Sequence, residues 1–443
     1  MRRRVVSLAL ALTLGPTAAV AQTGEPLRLS FADAVRRAAG GAPAVTLAGL
    51  RTDEARGRLR QSRSPLLPDL AASGSWVNRT FNRDALGIQF PTFPGSNAKL
   101  IGPFDVYDLR LQVTQALFDY ASVAQVRAVR SQLAGAQADS SLASEGAAQA
   151  TALAYLRATR AQAAVAAREA DSTLAAELVG LAHAQQEAGV GTRIDVTRAR
   201  TQLVAAAGAL VVARNLLERA RIDLARTLGL APDTPLALAD TLDATLPVVA
   251  LPVERDSLVA AALDQRPDLQ VELAHGEAAR RASAAISAER LPRVALAADL
   301  GANGTAPGDA IATRQIAVAV TVPILDGFRR EGRRAEQRAV VQASAVRADE
   351  LRDQIAADVD AALLDRGSAE QQLAIAAERL RLAHQELDQA RERFAAGVAG
   401  NIEVIDAQSS LIRARDTDID ARFAAAAVRV ALARAVGVAR TVH

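Results

Sequence analysis

Four short stretches of the chain alternate apolar and polar residues with a period of two. In the first, Leu70, Ala72, Gly74 and Trp76 share one face, with Asp69, Ala71, Ser73 and Ser75 on the other. In the second, Tyr107, Leu109, Leu111 and Val113 alternate with Asp108, Arg110, Gln112 and Thr114. The third sets Val294, Leu296, Ala298 and Leu300 against Arg293, Ala295, Ala297 and Asp299. The fourth sets Ile316, Val318, Val320 and Val322 against Gln315, Ala317, Ala319 and Thr321. Period two places strands at 69–78, 106–117, 293–301 and 314–325. Each is roughly 9–11 residues, the length that crosses a bilayer as a tilted strand. A half-buried hairpin in a soluble core gives the same alternation, so the pattern alone leaves lipid and core readings open.

A different period follows each strand pair. After Asp119 and after Asp326 no proline occurs for almost 70 residues, until Ala188 and Ala396 are passed. The two aspartates occupy helix N-cap positions in this reading. Long helices are expected at 120–188 and 327–396, each about 100 Å long at 1.5 Å per residue. In the second, Leu373, Leu380, Leu387 and Phe394 recur every seven residues, with Ala376, Ala383 and Ala390 between them. A seven-residue repeat with small residues in the seam predicts supercoiled packing at close approach. The first long helix shows it less cleanly, with Val165, Ser172 and Val179 at the matching sites. Glycine-containing turns at 188–192 and 396–400 then reverse the chain into return helices at 192–229 and 401–437.

The two halves are copies. Leu67-Pro68 matches Leu291-Pro292 at a spacing of 224, Val113-Thr114 matches Val320-Thr321 at 207, and Ala188-Gly189-Val190 matches Ala396-Gly397-Val398 at 208. The drop of 17 assigns the first copy a longer loop between its strands, within Asn78–Asp105. A constant order at fixed spacing marks one supersecondary unit used twice. Each copy also opens with a short helix ending before Pro43 or Pro267 and a second helix ending near Pro65 or Pro292. The copies span 22–245 and 246–443. Ahead of them, Arg2-Arg3-Arg4, the apolar run Val5–Leu14 and Ala19-Val20-Ala21 form the layout of a secretory signal peptide, 1–21.

Composition narrows the class. The chain has 443 residues, 52 Lys+Arg against 49 Asp+Glu, and no cysteine. Removing the three arginines of the leader leaves 49 against 49, so the charge balance gives no argument for nucleic acid. Without cysteine there is neither a disulfide nor a lipidated N-terminal cysteine. His183, His275, His384 and His443 are scattered and form no metal pattern, and Lys99 follows no Gly-rich phosphate loop. No nucleophile elbow occurs either. The expectation is a protein that is not an enzyme and carries no cofactor and no metal.

Four strands cannot close a barrel in lipid, where open edges are forbidden. Several copies would have to close it together. Two chains give a side-chain-filled cylinder, whereas three or four leave a channel. Eight of the thirteen aromatics lie between Trp76 and Tyr120, with Phe118 and Tyr120 at a strand-to-helix junction where an interfacial girdle belongs. The rest of that group packs in the long first loop or at its rims, which is an equal account of them.

Taken together, the Phe31–Pro43 opening and its Ala260–Asp268 counterpart, Leu117-Phe118-Asp119 and Ile324-Leu325-Asp326-Gly327, the two turns, and the Leu224–Gly229 and Leu432–Gly437 endings resemble the TolC-like outer membrane efflux proteins over essentially the whole mature chain. The resemblance implies a mainly α fold with a small β part, a coiled-coil helical barrel joined to a β-barrel of four strands per chain, assembled as a homotrimer. It implies an outer-membrane channel with a long periplasmic extension, the exit duct of a tripartite efflux or type I secretion system. The partners implied are outer-membrane lipid, a periplasmic membrane-fusion adaptor, and an inner-membrane pump of the RND, ABC or MFS type. Adaptor docking falls on the turns, at Gly189, Val190, Gly191, Thr192 and Arg193 and at Gly397, Val398, Gly400 and Asn401. The periplasmic gate falls on Asp195, Asp388 and Glu403. A carboxylate ring at Asp388 would favour cations; pairing of Asp388 with Arg391 on one helix surface is the plainer reading. A periplasmic coiled-coil adaptor or scaffold without a membrane barrel is the alternative function.

Overall fold

The computed structural model describes residues 26–82, 85, 100–242, 252 and 254–442. The leader, Lys99, His443 and the loop aromatics Phe90 and Phe93 lie outside the described residues. The first copy runs β1 (Leu27–Leu29), α1 (Phe31–Gly41), α2 (Pro43–Arg63), β2 (Asp69–Asn82), β3 (Leu100–Asp119), α3 (Tyr120–Glu187) and α4 (Arg193–Thr227), closing on β4 (Leu236–Leu238). The second runs α5 (Arg255–Gln265), α6 (Pro267–Ala288), β5 (Arg293–Gly304), β6 (Ile311–Thr321), α7 (Arg329–Ala395) and α8 (Asn401–Val436).

Helices α3 and α7 contain 68 and 67 residues, about 100 Å each. No described helix is long and apolar enough to cross a membrane. Residues Ala376, Ala383, Leu387, Ala390 and Phe394 of the seven-residue repeat are buried, and the last four pack with Val404, Ala407 and Leu411 of α8. The alanines let the two backbones approach closely, which is the use of small residues in a coiled seam.

The four long strands form one antiparallel sheet in the order β2-β3-β5-β6. The two hairpins share one register. Asp69 faces Thr114 as Arg293 faces Thr321, and Leu70 faces Val113 as Val294 faces Val320. Strand β6 ends at Thr321, short of the expected 325, and β3 runs further than expected at both ends. Pro323 accounts for the first difference, because it has no N–H to give to a ladder.

A packed belt lies between the sheet and the far helical ends. Phe31 meets Tyr155 edge-on at 5.7 Å between ring centres. The Tyr155 hydroxyl donates to the Leu29 carbonyl at 2.9 Å and lies 2.9 Å from a carboxylate oxygen of Asp240. Asp240 also accepts the Phe31 backbone N–H at 2.6 Å, so the short parallel pair β1–β4 and the start of α1 are held to α3. Burial and the neighbouring Asp240 hold the Tyr155 hydroxyl well above its ordinary pKa, so it stays a donor.

The return helices end alike in both copies. Gly229 and Gly437 follow α4 and α8 with φ of +69° and +88°. A Cβ on Gly229 would stand 2.9 Å from Pro43 Cδ, and one on Gly437 2.9 Å from Arg266 Cα. Left-handed backbone and close approach together require glycine at both places. Each return helix thereby docks on the proline turn that opens its own copy.

Candidate channel wall and periplasmic tips

The outer face of the sheet is apolar and uncovered. Trp76, Leu109, Leu300, Ile316, Val318 and Val320 are each more than 60 % exposed. Such a continuous patch on a single chain marks a membrane or an interaction surface. The opposite face is polar and internally paired. Arg110 bridges Asp108 at 2.8 Å and Asp299 at 2.7 Å, tying β3 to β5 across that face.

At the sheet's base, Asp119 is the N-cap of α3, its carboxylate accepting the Ser122 N–H at 3.0 Å. Asp326 is not the corresponding cap. Helix α7 begins at Arg329, with Phe328 as N-cap at a φ of 61°. The extra turn through Gly327 and Phe328 moves Asp326 out of the cap position. Its carboxylate still accepts the Arg330 N–H at 3.2 Å and the Arg330 guanidinium at 2.7 Å. Burial raises its pKa, but these bonds and the Arg330 charge outweigh that and hold it below its ordinary value.

At the far end the two turns sit together. In the first, Val190 and Gly191 N–H groups both donate to Gln185 O, at 3.0 and 2.9 Å. Thr192 and Asp195 then form a capping box that starts α4. In the second, Gly397 N–H donates to Phe394 O and Val398 N–H to Arg393 O. Gly189 and Gly397 carry φ of +77° and +75°, which lets each turn reverse at once. Two side chains join the turns. Asn401 Nδ2 donates to Asp195 O at 2.8 Å, and Gln185 Nε2 donates to Phe394 O at 2.8 Å. Val190 and Val398, at equivalent places in the copies, are 75 % and 71 % exposed and form the apolar points of the tips.

The acids expected near the gate have separate fates. The Asp195 carboxylate is used in its capping box. Glu403 pairs with Arg393 at 3.2 Å. Asp388 is exposed and has no hydrogen-bond or ion-pair partner among the described residues. The plainer reading, an Asp388–Arg391 contact, does not hold. Arg391 reaches across to Glu177 of α3 at 2.6 Å instead.

Sequence reasoning missed the ties between the two helical hairpins. Asp171, nearly buried, accepts from Arg168 at 2.8 Å and from Arg415 of α8 at 2.6 Å. Arg168 also pairs with Asp416. Nothing in the spacing of these residues signals a contact between elements more than 240 positions apart. Gln185 had a faint signal, lying three residues before the turn that begins at Ala188. No cluster of metal-ligating side chains occurs among the described residues.

The model of the family described as outer membrane efflux protein matches residues 34–230 and 258–438. No curated protein sequence matches the chain. Among solved structures, the chain is similar to CusC, a protein described as forming a transmembrane channel, at 18 % identity and a TM-score of 0.76, covering 92 % of both chains. It is similar to the outer membrane protein VceC of Vibrio cholerae at 21 % identity and 0.72, covering 92 % of this chain and 96 % of that one. The open state of the MtrE outer membrane channel of Neisseria gonorrhoeae matches at 19 % identity and 0.74, with 92 % and 88 % covered. These likenesses fix the fold. With one matched segment in each half and most of the chain covered, the chain belongs to the outer membrane efflux protein family.

Proposed function

We propose that the chain is the outer-membrane exit duct of a tripartite efflux or type I secretion assembly. Three copies close a twelve-stranded barrel in the outer membrane, and their helical hairpins form a tunnel through the periplasm. The signal peptide 1–21 directs the chain there and is removed. A periplasmic adaptor docks on the tips at Gly189–Arg193 and at Gly397, Val398, Gly400 and Asn401, and a pump of the RND, ABC or MFS type feeds the tunnel.

One observation carries this reading: a two-faced sheet of four strands whose edges, β2 and β6, are both open among the described residues, continuous with helices of about 100 Å. A soluble domain has no use for an uncovered apolar sheet face and two unpaired edges. Exposed Val204 and Val211 on α4, and Leu364 and Ile375 on α7, lie on flanks that neighbouring copies would cover. Asp388, exposed and without a partner among the described residues, is the acid free to form a ring at the entrance. Purification from outer membranes with a native mass measurement tests the reading. A trimer is expected, and a soluble monomer overturns it.

A further inference from the structure

Positive charge is gathered where the helices meet the sheet. The fourteen residues next to the sheet at its four helical junctions are 55–68, 120–133, 279–292 and 322–335. They hold four, two, three and four arginines, thirteen in all, against none, none, one and two acids, three in all. Outside the leader the chain balances at 49 against 49, so these segments carry +10 and the remainder −10. At 1.5 Å per helical residue this collar is about 20 Å deep. Eleven of its thirteen arginines are exposed.

The collar's own acids are spent. Glu289 pairs with Arg333 at 2.9 Å, Asp326 with Arg330 at 2.7 Å, and Glu331 with Arg290. Arg60, Arg63 and Arg329 are exposed and have no acidic partner among the described residues. A further copy of the chain brings the same surplus, with its collar acids spent in the same way. The junctions 55–68 and 322–335, with four arginines each, adjoin the edge strands β2 and β6. Closing a ring of copies therefore sets like charge beside like charge, a repulsion that anions from outside the protein relieve. The border of the collar says which anions. Leu67, Phe118, Ile324, Leu325 and Phe328, each more than half exposed, lie at its sheet end. Arg127 lies over the Tyr120 ring at 5.9 Å at the same border. An apolar band followed by cations is the order in which a chain leaving a bilayer meets acyl chains and then headgroup phosphates.

Resting on the exit-duct reading above, we propose that this collar binds anionic phospholipid headgroups of the leaflet on the helical side of the sheet, and that these lipids bridge the arginines of neighbouring copies. Arg60, Arg63 and Arg329 make the contacts, because no carboxylate competes for them. A guanidinium fork holds two phosphate oxygens at once, so a headgroup is gripped in a fixed orientation. The acyl chains of the same lipid lie against Ile324, Leu325 and Phe328. Each arginine near an anionic leaflet is worth about fivefold in binding.

Native mass spectrometry of the whole assembled protein reads the lipids it retains from bilayers of equal phosphatidylethanolamine and phosphatidylglycerol. The unsubstituted chain is expected to retain the anionic phosphatidylglycerol over the zwitterionic lipid by at least about tenfold. Arg60→Gln, Arg63→Gln and Arg329→Gln together should cut that preference to about twofold or less, and the three Lys replacements should keep most of it. A charge-matched triple away from the collar, Arg157→Gln, Arg219→Gln and Arg379→Gln, should leave it as it is. Equal retention of the two lipids by the unsubstituted trimer overturns the proposal without any variant having to fold. An equal loss in both glutamine triples also overturns it. So does a loss of anion conductance in planar bilayers with lipid retention unchanged, which would put the three arginines on the channel instead. A soluble monomer overturns the exit-duct reading on which the proposal rests.

Discussion

Asn401 gives the sharpest handle on the join between the tips of the two helical hairpins. It is fully buried, follows the N-cap Gly400 as the first residue of α8, and donates to the Asp195 carbonyl across the hairpins at 2.8 Å. Its Oδ1 is buried without a partner. Asn401→Ala therefore removes one hydrogen bond worth about 0.5–1.5 kcal/mol but also removes an orphaned acceptor, so the net loss is about 1 kcal/mol or less. Asn401→Asp keeps the shape and inverts the chemistry. An ionised carboxylate there would face the Asp195 carbonyl oxygen, out of water. The start of α8 returns about 0.3–1 kcal/mol to a negative charge, against several kcal/mol for burying it unpaired. A net cost of about 2–4 kcal/mol at neutral pH corresponds to roughly 30- to 1,000-fold more separation of the tips. The introduced carboxyl should have a pKa raised above the usual value of about 3.9, because burial disfavours its charged form. Protonated, it can donate to Asp195 O as the amide does. The expected result is faster amide hydrogen exchange than in the unsubstituted chain at 185–195 and 394–401 near neutral pH, with most of the difference gone at mildly acidic pH. Exchange at both tips indistinguishable from the unsubstituted chain at neutral pH would refute the argument, as would an equal effect of the alanine and aspartate variants.

Three further outcomes follow from the same geometry. Gly437→Ala, with its left-handed φ and a Cβ brought to 2.9 Å from Arg266 Cα, should cost about 1–3 kcal/mol and lower Tm, whereas Gly40→Ala, in a helix with nothing within 4 Å, should hold or raise it. Asp268 is partly buried, which opposes ionisation, but the Arg266 hydrogen bond and charge outweigh burial and hold its pKa below the ordinary value. Its contribution is therefore present above about pH 4 and lost as pH falls through the lowered folded value, so Asp268→Asn should be destabilised by up to about 3 kcal/mol at pH 7, with the difference narrowing under acid in chemical-denaturation curves at several pH values. Asp388→Ala, in planar bilayers, should change single-channel conductance and weaken cation preference; an unchanged channel would remove Asp388 from the entrance ring.

The parts of the fold that depend on one strand or one helix are legible in the sequence, because a period is a local property. Alternation at Tyr107–Thr114 and at Ile316–Thr321 defines strands with one apolar face, and the seven-residue run from Leu373 to Phe394 defines a seam whose end, from Ala383 to Phe394, is buried against α8. What a period cannot carry is the azimuth and stagger of one helix against another, and that is where the site was misread. The sequence neighbour of Asp388, Arg391, turns out to belong to Glu177 of α3, a pairing across the two hairpins that no local spacing encodes. Asp326 failed as a cap for the opposite reason. The match to Asp119 is real in the chain, but Gly327 and Phe328 insert a left-handed step that delays the helix, and a cap is decided within that one turn.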